Sequence, residues 1–153
     1  MKCILEVNNK TKYKFSKTFF TRVFKHSLEL AKVDYLQGKT LELSIAIVDE
    51  EEMTVLNQQY RKKNRATDVL SFCEYESLQE IHDDILGDKK ELIFLGELIL
   101  CPMYIERNAK EDGESLEFAT TYITAHGVYH LLGFNHGRKM FTMQQNVANQ
   151  LSE

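Results

Sequence analysis

The sequence has little that would tie it to a membrane, a secretory route or a disulfide framework. No apolar run approaches the roughly 20 residues that span a bilayer, so no membrane partner is expected. The N-terminus, MKCILEVNNKTKYKF, turns polar too soon for the core of a signal peptide, which predicts a cytoplasmic protein. There are three cysteines, Cys3, Cys73 and Cys101; they are scattered, odd in number and form no C-x-x-C. That pattern suits neither disulfides nor a cysteine-ligated zinc, and predicts buried free thiols. Pro102 is the single proline, and no repeat, low-complexity tract or linker interrupts the chain. One domain spanning residues 1–153 is therefore expected. Nor is there an excess of positive charge: 19 Lys and Arg stand against 23 Asp and Glu, a net charge of −4. That excludes a surface that attracts polyanions everywhere, so nucleic-acid binding needs a local basic patch.

What the sequence does have is periodic hydrophobicity, in a chain that is 43% hydrophobic and 27% charged. KCILEV reads as a first strand. Phe19, Phe20, Val23, Phe24, Ser27, Leu28 and Ala31 fall at helical spacing behind a capping Ser16. Leu41, Leu43, Ile45 and Ile47 alternate as in a strand, and Asp49 caps an acidic-fronted helix. TDVLSFCEY reads as a strand, ESLQEIHDDILGDKK as an exposed loop or short helix. In the long apolar strand ELIFLGELILC, Gly96 marks a bulge or a close backbone approach. Pro102 opens a helix that Gly113 ends, Gly133 stops the next, and KMFTMQQNVANQL closes the chain as an amphipathic helix. Strands and helices mix without strict alternation, which predicts an α+β fold with a small mixed sheet packed against helices.

The chemistry concentrates in TAHGVYHLLGFNHG, which holds three of the five histidines. On a helix, His126 and His130 lie one turn apart with Cβ atoms about 5–6 Å apart, near enough to share one ion. The break at Gly133 can return the chain so that His136 joins them. Three protein ligands leave a fourth position for water, the pattern of a catalytic zinc site. Gly127, however, stands where zinc proteases carry a catalytic Glu. Outside this cluster, His26 reads as a helix-surface residue and His82 as a solvated one. The segment YRKKNR supplies the local basic patch, with Arg61, Lys62, Lys63 and Arg65 as candidate RNA-phosphate contacts.

HGVYHLLGFNH resembles the H-G-x-L-H-L-x-G-[YF]-D-H signature of the YbeY family. YRKKNRATDVLSF is similar to that family's Y-R-x-K-x-x-P-T-[DN]-V-L-S-F block, and LGELILC to L-G-D-[IL]-x-I-C, so the resemblance runs over roughly residues 41 to 137. It implies a single zincin-like domain and a metal-dependent, single-strand-specific endoribonuclease. The implied partners are single-stranded RNA, ribosomal RNA and ribosomes, not DNA. The implied roles are ribosomal RNA maturation, including 3′-end processing of 16S rRNA, and ribosome quality control. By the same resemblance His126, His130 and His136 match the family's zinc ligands, with one Zn²⁺ per chain, and Arg61 matches a functionally important arginine. Tyr129 stands in place of Leu, Ala66 and Cys73 in place of Pro, and Asn135 in place of Asp. Asn135 has no carboxylate to accept a proton, which leaves it an orienting role.

Gly127 disfavours peptide hydrolysis by the zinc-protease route. Phosphodiester cleavage asks instead for a Lewis acid, a positioned cation and an oxygen nucleophile. Arg61 suits the cation, because its planar fork fits phosphate oxygens. Water and the substrate's own 2′-hydroxyl both remain open as the nucleophile. Glu97 is a carboxylate that could lie near the site, and Phe72, Tyr75 and Phe134 are aromatics on which bases could stack. A zinc peptidase or amidase and a non-catalytic, ribosome-associated zinc module are the competing readings.

Overall fold

The computed structural model describes residues 1–88 and 91–152. The first strand, β1, runs Lys2–Asn9, and α1 follows at Lys17–Ala31, its first turn capped by the Ser16 hydroxyl accepting from the Phe19 amide at 3.0 Å. A short 3₁₀ turn, Asp34–Leu36, and Gly38 at positive φ lead into β2, Thr40–Ile47. Asp49 then caps α2, Glu50–Arg61, by accepting from the Glu52 amide at 2.8 Å. Strand β3 is Val69–Cys73, α3 is Leu78–Asp88, and β4 is Leu92–Leu100. Three helices finish the chain: α4 at Pro102–Asp112, α5 at Leu116–Leu131 and α6 at Arg138–Leu151.

The strands form one sheet in the order β1-β2-β4-β3. The β1·β2 and β2·β4 pairs are parallel and β3 runs antiparallel to β4, so the sheet is mixed, as the sequence predicts. In β2 the alternation is complete, with Leu41, Leu43, Ile45 and Ile47 all buried. In β4 the inward positions change phase, from Ile93 and Leu95 to Leu98 and Leu100. The register explains this. Glu42 pairs with Phe94 but Leu43 pairs with Gly96, so Leu95 is one extra residue and the bulge keeps both halves of the strand facing the core. Gly96 permits it: its φ is +137°, and a Cβ there would lie 2.1 Å from the Phe72 carbonyl oxygen of β3.

One face of the sheet packs on α1, α5 and α6, through Phe20, Val23, Phe24 and Leu28 of α1 and Met140, Met143 and Val147 of α6. On the other face α2 covers a smaller cluster of Val48, Met53, Leu70, Ile99 and Cys101. The segment read as an exposed loop or short helix is the helix α3, and its Ile81 and Ile85 are buried in the main core. Lys89 and Lys90, at the end of that segment, lie outside the described residues. Of the cysteines only Cys101 is buried; Cys3 is half-buried and Cys73 is exposed, because Cys73 ends the edge strand β3.

Candidate metal centre

Helix α5 is apolar around its whole circumference, the signature of a helix buried within a fold rather than laid on it. It is buried at Ala119, Thr121, Ala125, Val128 and Leu131, and carries His126 and His130 out of the core at one end. The helix ends in a Schellman turn. Phe134 N–H donates to the Tyr129 carbonyl at 3.0 Å, Gly133 N–H donates to His130 at 2.9 Å, and Gly133 adopts φ +87°. The Phe134 ring packs edge-on against Tyr129 at 5.7 Å, the apolar contact that accompanies this turn. No side chain fits at Gly133, since a Cβ would come within 2.5 Å of Ser77 Cα. That reversal returns His136 to the two helical histidines.

The three imidazoles converge through Nε2. His130 Nε2 lies 3.0 Å from that of His126 and 2.7 Å from that of His136. Nitrogens on 2.0–2.1 Å bonds around a tetrahedral ion would lie about 3.3 Å apart, so this cluster is within a few tenths of an ångström of such a shell. Among the described residues these three form the group that could hold a metal ion. Gln144 of α6, itself buried, sets Oε1 3.1 Å from His126 Nδ1. An amide oxygen only accepts, so Nδ1 carries the proton and Nε2 keeps its lone pair for a cation. Burial, and then the neighbouring His126 and His136, push the His130 imidazole down to about 4. Burial lowers His126 too, against the opposing pull of the Gln144 bond and, more weakly, of the Asp68 charge. Neutral imidazoles are what a metal requires, so the donor set fits the group.

The histidines floor an open cleft of about 520 Å³, whose other walls include Tyr60, Arg61, Asp68, Ser71, Phe72 and Cys73. Arg61 arrives from the last turn of α2, so the structure brings it together with the triad. Lys62, Lys63 and Arg65 do not line the cleft; they are exposed on the loop beyond it. That loop is pinned from below, since the buried Asn57 donates its amide to the Arg65 carbonyl at 2.8 Å. Of the aromatics, Phe72 lines the cleft and meets Tyr60 edge-on at 4.9 Å. Tyr75 instead donates to Asp84 within the fold, and Phe134 packs under the Lys139 ammonium. Glu97 sits across the β-ladder from Phe72 and is not part of the cleft wall. Asn135 is exposed, and its amide makes no hydrogen bond among the described residues. His26 leans against Gln150 and Glu29, and His82 packs edge-on against Tyr35 at 4.8 Å.

Gly127 does more than omit a carboxylate. A Cβ there would lie 2.7 and 2.9 Å from the two Leu98 methyls, so position 127 faces the sheet and not the cleft. Three features of the site escaped the sequence. Gln144 comes from a helix 18 residues further on and carries no motif. Tyr60 reaches the wall from the end of α2. Asp68, inside the TDV segment, could have been noticed as a carboxylate at the mouth of a strand.

A sequence model of the endoribonuclease YbeY family matches residues 6–152. The chain belongs to the YbeY family. Relatives named endoribonuclease YbeY include one from Francisella tularensis subsp. mediasiatica, 35% identical over 72% of this chain and 65% of its own. Another, from Lactobacillus helveticus, is 33% identical over 80% and 74%, and one from Pseudomonas putida is 41% identical over 62% and 55%. The chain thus spans less than two thirds of the length of the Francisella and Pseudomonas relatives. In structure it resembles TM1509 from Thermotoga maritima, solved in solution, with a TM-score of 0.61 at 24% identity over 97% of this chain and 89% of that one. That likeness supports the fold.

Proposed function

We propose that this YbeY-family chain is a zinc-dependent endoribonuclease that cuts single-stranded RNA, with ribosomal RNA, including the 3′ end of 16S rRNA, as its substrate and the cytoplasm as its location. The observation that carries the reading is the convergence of three inward-turned imidazoles with Arg61 on one open cleft. His126, His130 and His136 would hold the ion, and an all-nitrogen, three-ligand set suits zinc. When bound, zinc supplies a Lewis acid for a phosphoryl oxygen and lowers the pKa of its water to about 7. The chain's own groups do the rest. Gln144 orients His126. Arg61 binds the phosphate with its planar fork, and its donors strengthen as charge gathers on the equatorial oxygens. Tyr60 and Phe72 offer ring faces at the cleft wall to unpaired bases, which a duplex could not present. Lys62, Lys63 and Arg65 extend the cationic track along the strand beyond the cut.

A peptidase reading is disfavoured by the packing of Gly127 on Leu98, which leaves position 127 no path to the cleft. A purely structural zinc is disfavoured by the open side of the triad, His136 being exposed. Elemental analysis of protein purified without added metal should find about one zinc per chain, and the protein should cut a single-stranded oligoribonucleotide but not its DNA counterpart. Absence of a transition metal, or unchanged metal content after His126→Ala and His130→Ala together, would sink the assignment.

A further inference from the structure

A second basic surface lies away from the cleft. Six of the chain's 19 Lys and Arg, and none of its 23 Asp and Glu, fall between residues 10 and 25, in KTKYKFSKTFFTRVFK. Lys10 is paired with Glu52 at 3.2 Å. Lys12, Lys14, Lys17, Arg22 and Lys25 are exposed and, among the described residues, pair with no carboxylate. The fold lines these cations up. On α1, Lys17, Arg22 and Lys25 share an exposed stripe with Thr18 and Thr21 at helical spacing, and the same five residues line a hollow of about 430 Å³. The β1–α1 loop is held in shape. Asn9 Oδ1 accepts from the Thr11 amide at 2.9 Å, its Nδ2 donates to the Tyr13 carbonyl at 2.6 Å, and the Tyr13 hydroxyl donates to Glu106 of α4 at 3.1 Å. The hollow adjoins an open groove of about 930 Å³, with which it shares Thr18 and Arg22. There Lys14 and Arg22 stand among the half-buried rings of Tyr13, Phe15 and Phe19, and Glu117 is the one carboxylate among the lining residues.

We propose that this surface binds the backbone of single-stranded RNA outside the cleft, holding a stretch of substrate that the metal centre does not touch; the proposal rests on the ribonuclease reading above. Ammonium and guanidinium groups take phosphates irrespective of sequence, and rings beside them give unpaired bases a face to stack on. In a chain of net charge −4, a run of unpaired cations repels itself, and a bound polyanion relieves that repulsion. The position fits an accessory site. Glu117 lies in the first turn of α5 and His130 in its last, so at 1.5 Å per residue the groove and the triad stand about 20 Å apart along that helix. An RNA long enough to cross that distance engages both, and the second contact raises the effective concentration of RNA at the cleft. A lipid surface is the poorer match. The apolar face of α1 is buried in the core through Phe20, Val23, Phe24 and Leu28, and its exposed stripe offers threonines and cations with nothing to insert among acyl chains.

The test compares wild type with two variants. One combines Lys12→Gln, Lys14→Gln, Lys17→Gln, Arg22→Gln and Lys25→Gln; the other keeps the charge, with Lys12→Arg, Lys14→Arg, Lys17→Arg and Lys25→Arg. Two single-stranded oligoribonucleotides are used, one of about 4 nucleotides that fits the cleft alone and one of about 30 that reaches beyond it. The glutamine variant should fold as wild type does, since all five positions are exposed. It should bind the long RNA about 10- to 100-fold more weakly at about 100 mM salt, and the slope of log affinity against log salt should shrink by about 3. KM for the long RNA should rise by the same factor, while kcat and every constant for the short RNA stay within about twofold of wild type. The arginine variant should bind as wild type does. Unchanged affinity and salt slope in the glutamine variant would overturn the proposal. So would an equal loss on both RNAs, which would reduce the effect to net charge, or an arginine variant as weak as the glutamine one. Wild type that binds the long RNA through these cations but cuts neither RNA would instead remove the ribonuclease reading and leave the binding surface standing.

Discussion

At the scale of single residues, local spacing made the metal-capable histidines legible and nothing local made their support legible. His126 and His130 are one turn apart, and Gly133 announces the reversal that returns His136; all of this is written within eleven consecutive residues. Gln144 meets His126 only because α6 packs back on α5, which no short pattern encodes. Gln144→Leu should therefore keep the fold but weaken zinc binding by about 10- to 100-fold, as loss of an orienting partner does, measured by chelator competition. Unchanged affinity would mean that the helix alone fixes the His126 ring. Arg61 separates chemistry from stability in the opposite way. It is exposed at a helix end, so Arg61→Ala should shift unfolding by no more than about 0.5 kcal/mol. Cleavage at matched zinc occupancy should fall by about ten- to a thousandfold, and Arg61→Lys should recover only part, since an ammonium cannot grip two oxygens at once. Wild-type cleavage by Arg61→Ala would take the residue out of the mechanism. Tyr129, which stands in place of the family's Leu, is fully buried with its hydroxyl donating to the Ser27 carbonyl of α1 at 2.8 Å.

Elements were legible where a cap or an alternation marked them and obscure where tertiary contact decided. Ser16 and Asp49 cap the helices expected of them, and Gly113 ends its helix in the left-handed conformation. The α3 segment was harder, because two isoleucines among acids say little until the core they enter is known. Strand order was not legible at all: β1 and β2 are parallel neighbours across an intervening helix, and β4 inserts between β2 and β3. The bulge at Gly96 was signalled by a glycine in an apolar run, and its consequence can be tested. An added methyl would collide with the Phe72 carbonyl and would sit at a φ that side chains avoid. Gly96→Ala should cost about 2–4 kcal/mol, the sum of a left-handed penalty and an overpacked contact. Because β3 carries the cleft wall from Val69 to Cys73, cleavage should fall along with the urea midpoint. A variant that unfolds like wild type would show that the ladder can slide to make room.

At the scale of the whole molecule, the candidate metal centre lies at the margin of the core. His126 and His130 are only half-buried and His136 is exposed, and no described helix is long and apolar enough to cross a membrane. Chelation should thus abolish cleavage while leaving the circular dichroism of the helices intact, with the midpoint falling only by the mass-action contribution of the ion. Acid acts on the metal-free fold through the same imidazoles. Burial holds His130 at about 4, well under its ordinary 6.5, and His126 is also lowered. Both are therefore bases that the fold keeps neutral. Above pH 6.5 neither folded nor unfolded chain is protonated at these sites, and they leave stability untouched. As the pH falls from about 6.5 towards 4 the unfolded chain binds protons that the folded chain refuses, so stability declines across that window; below it His130 contributes no further loss. Urea midpoints of the chelated protein between pH 7.5 and pH 4 would trace the decline, and His130→Ala should flatten it. A wild-type profile as flat as that of the variant would mean that His130 and His126 accept protons within the fold, so that burial does not hold them neutral.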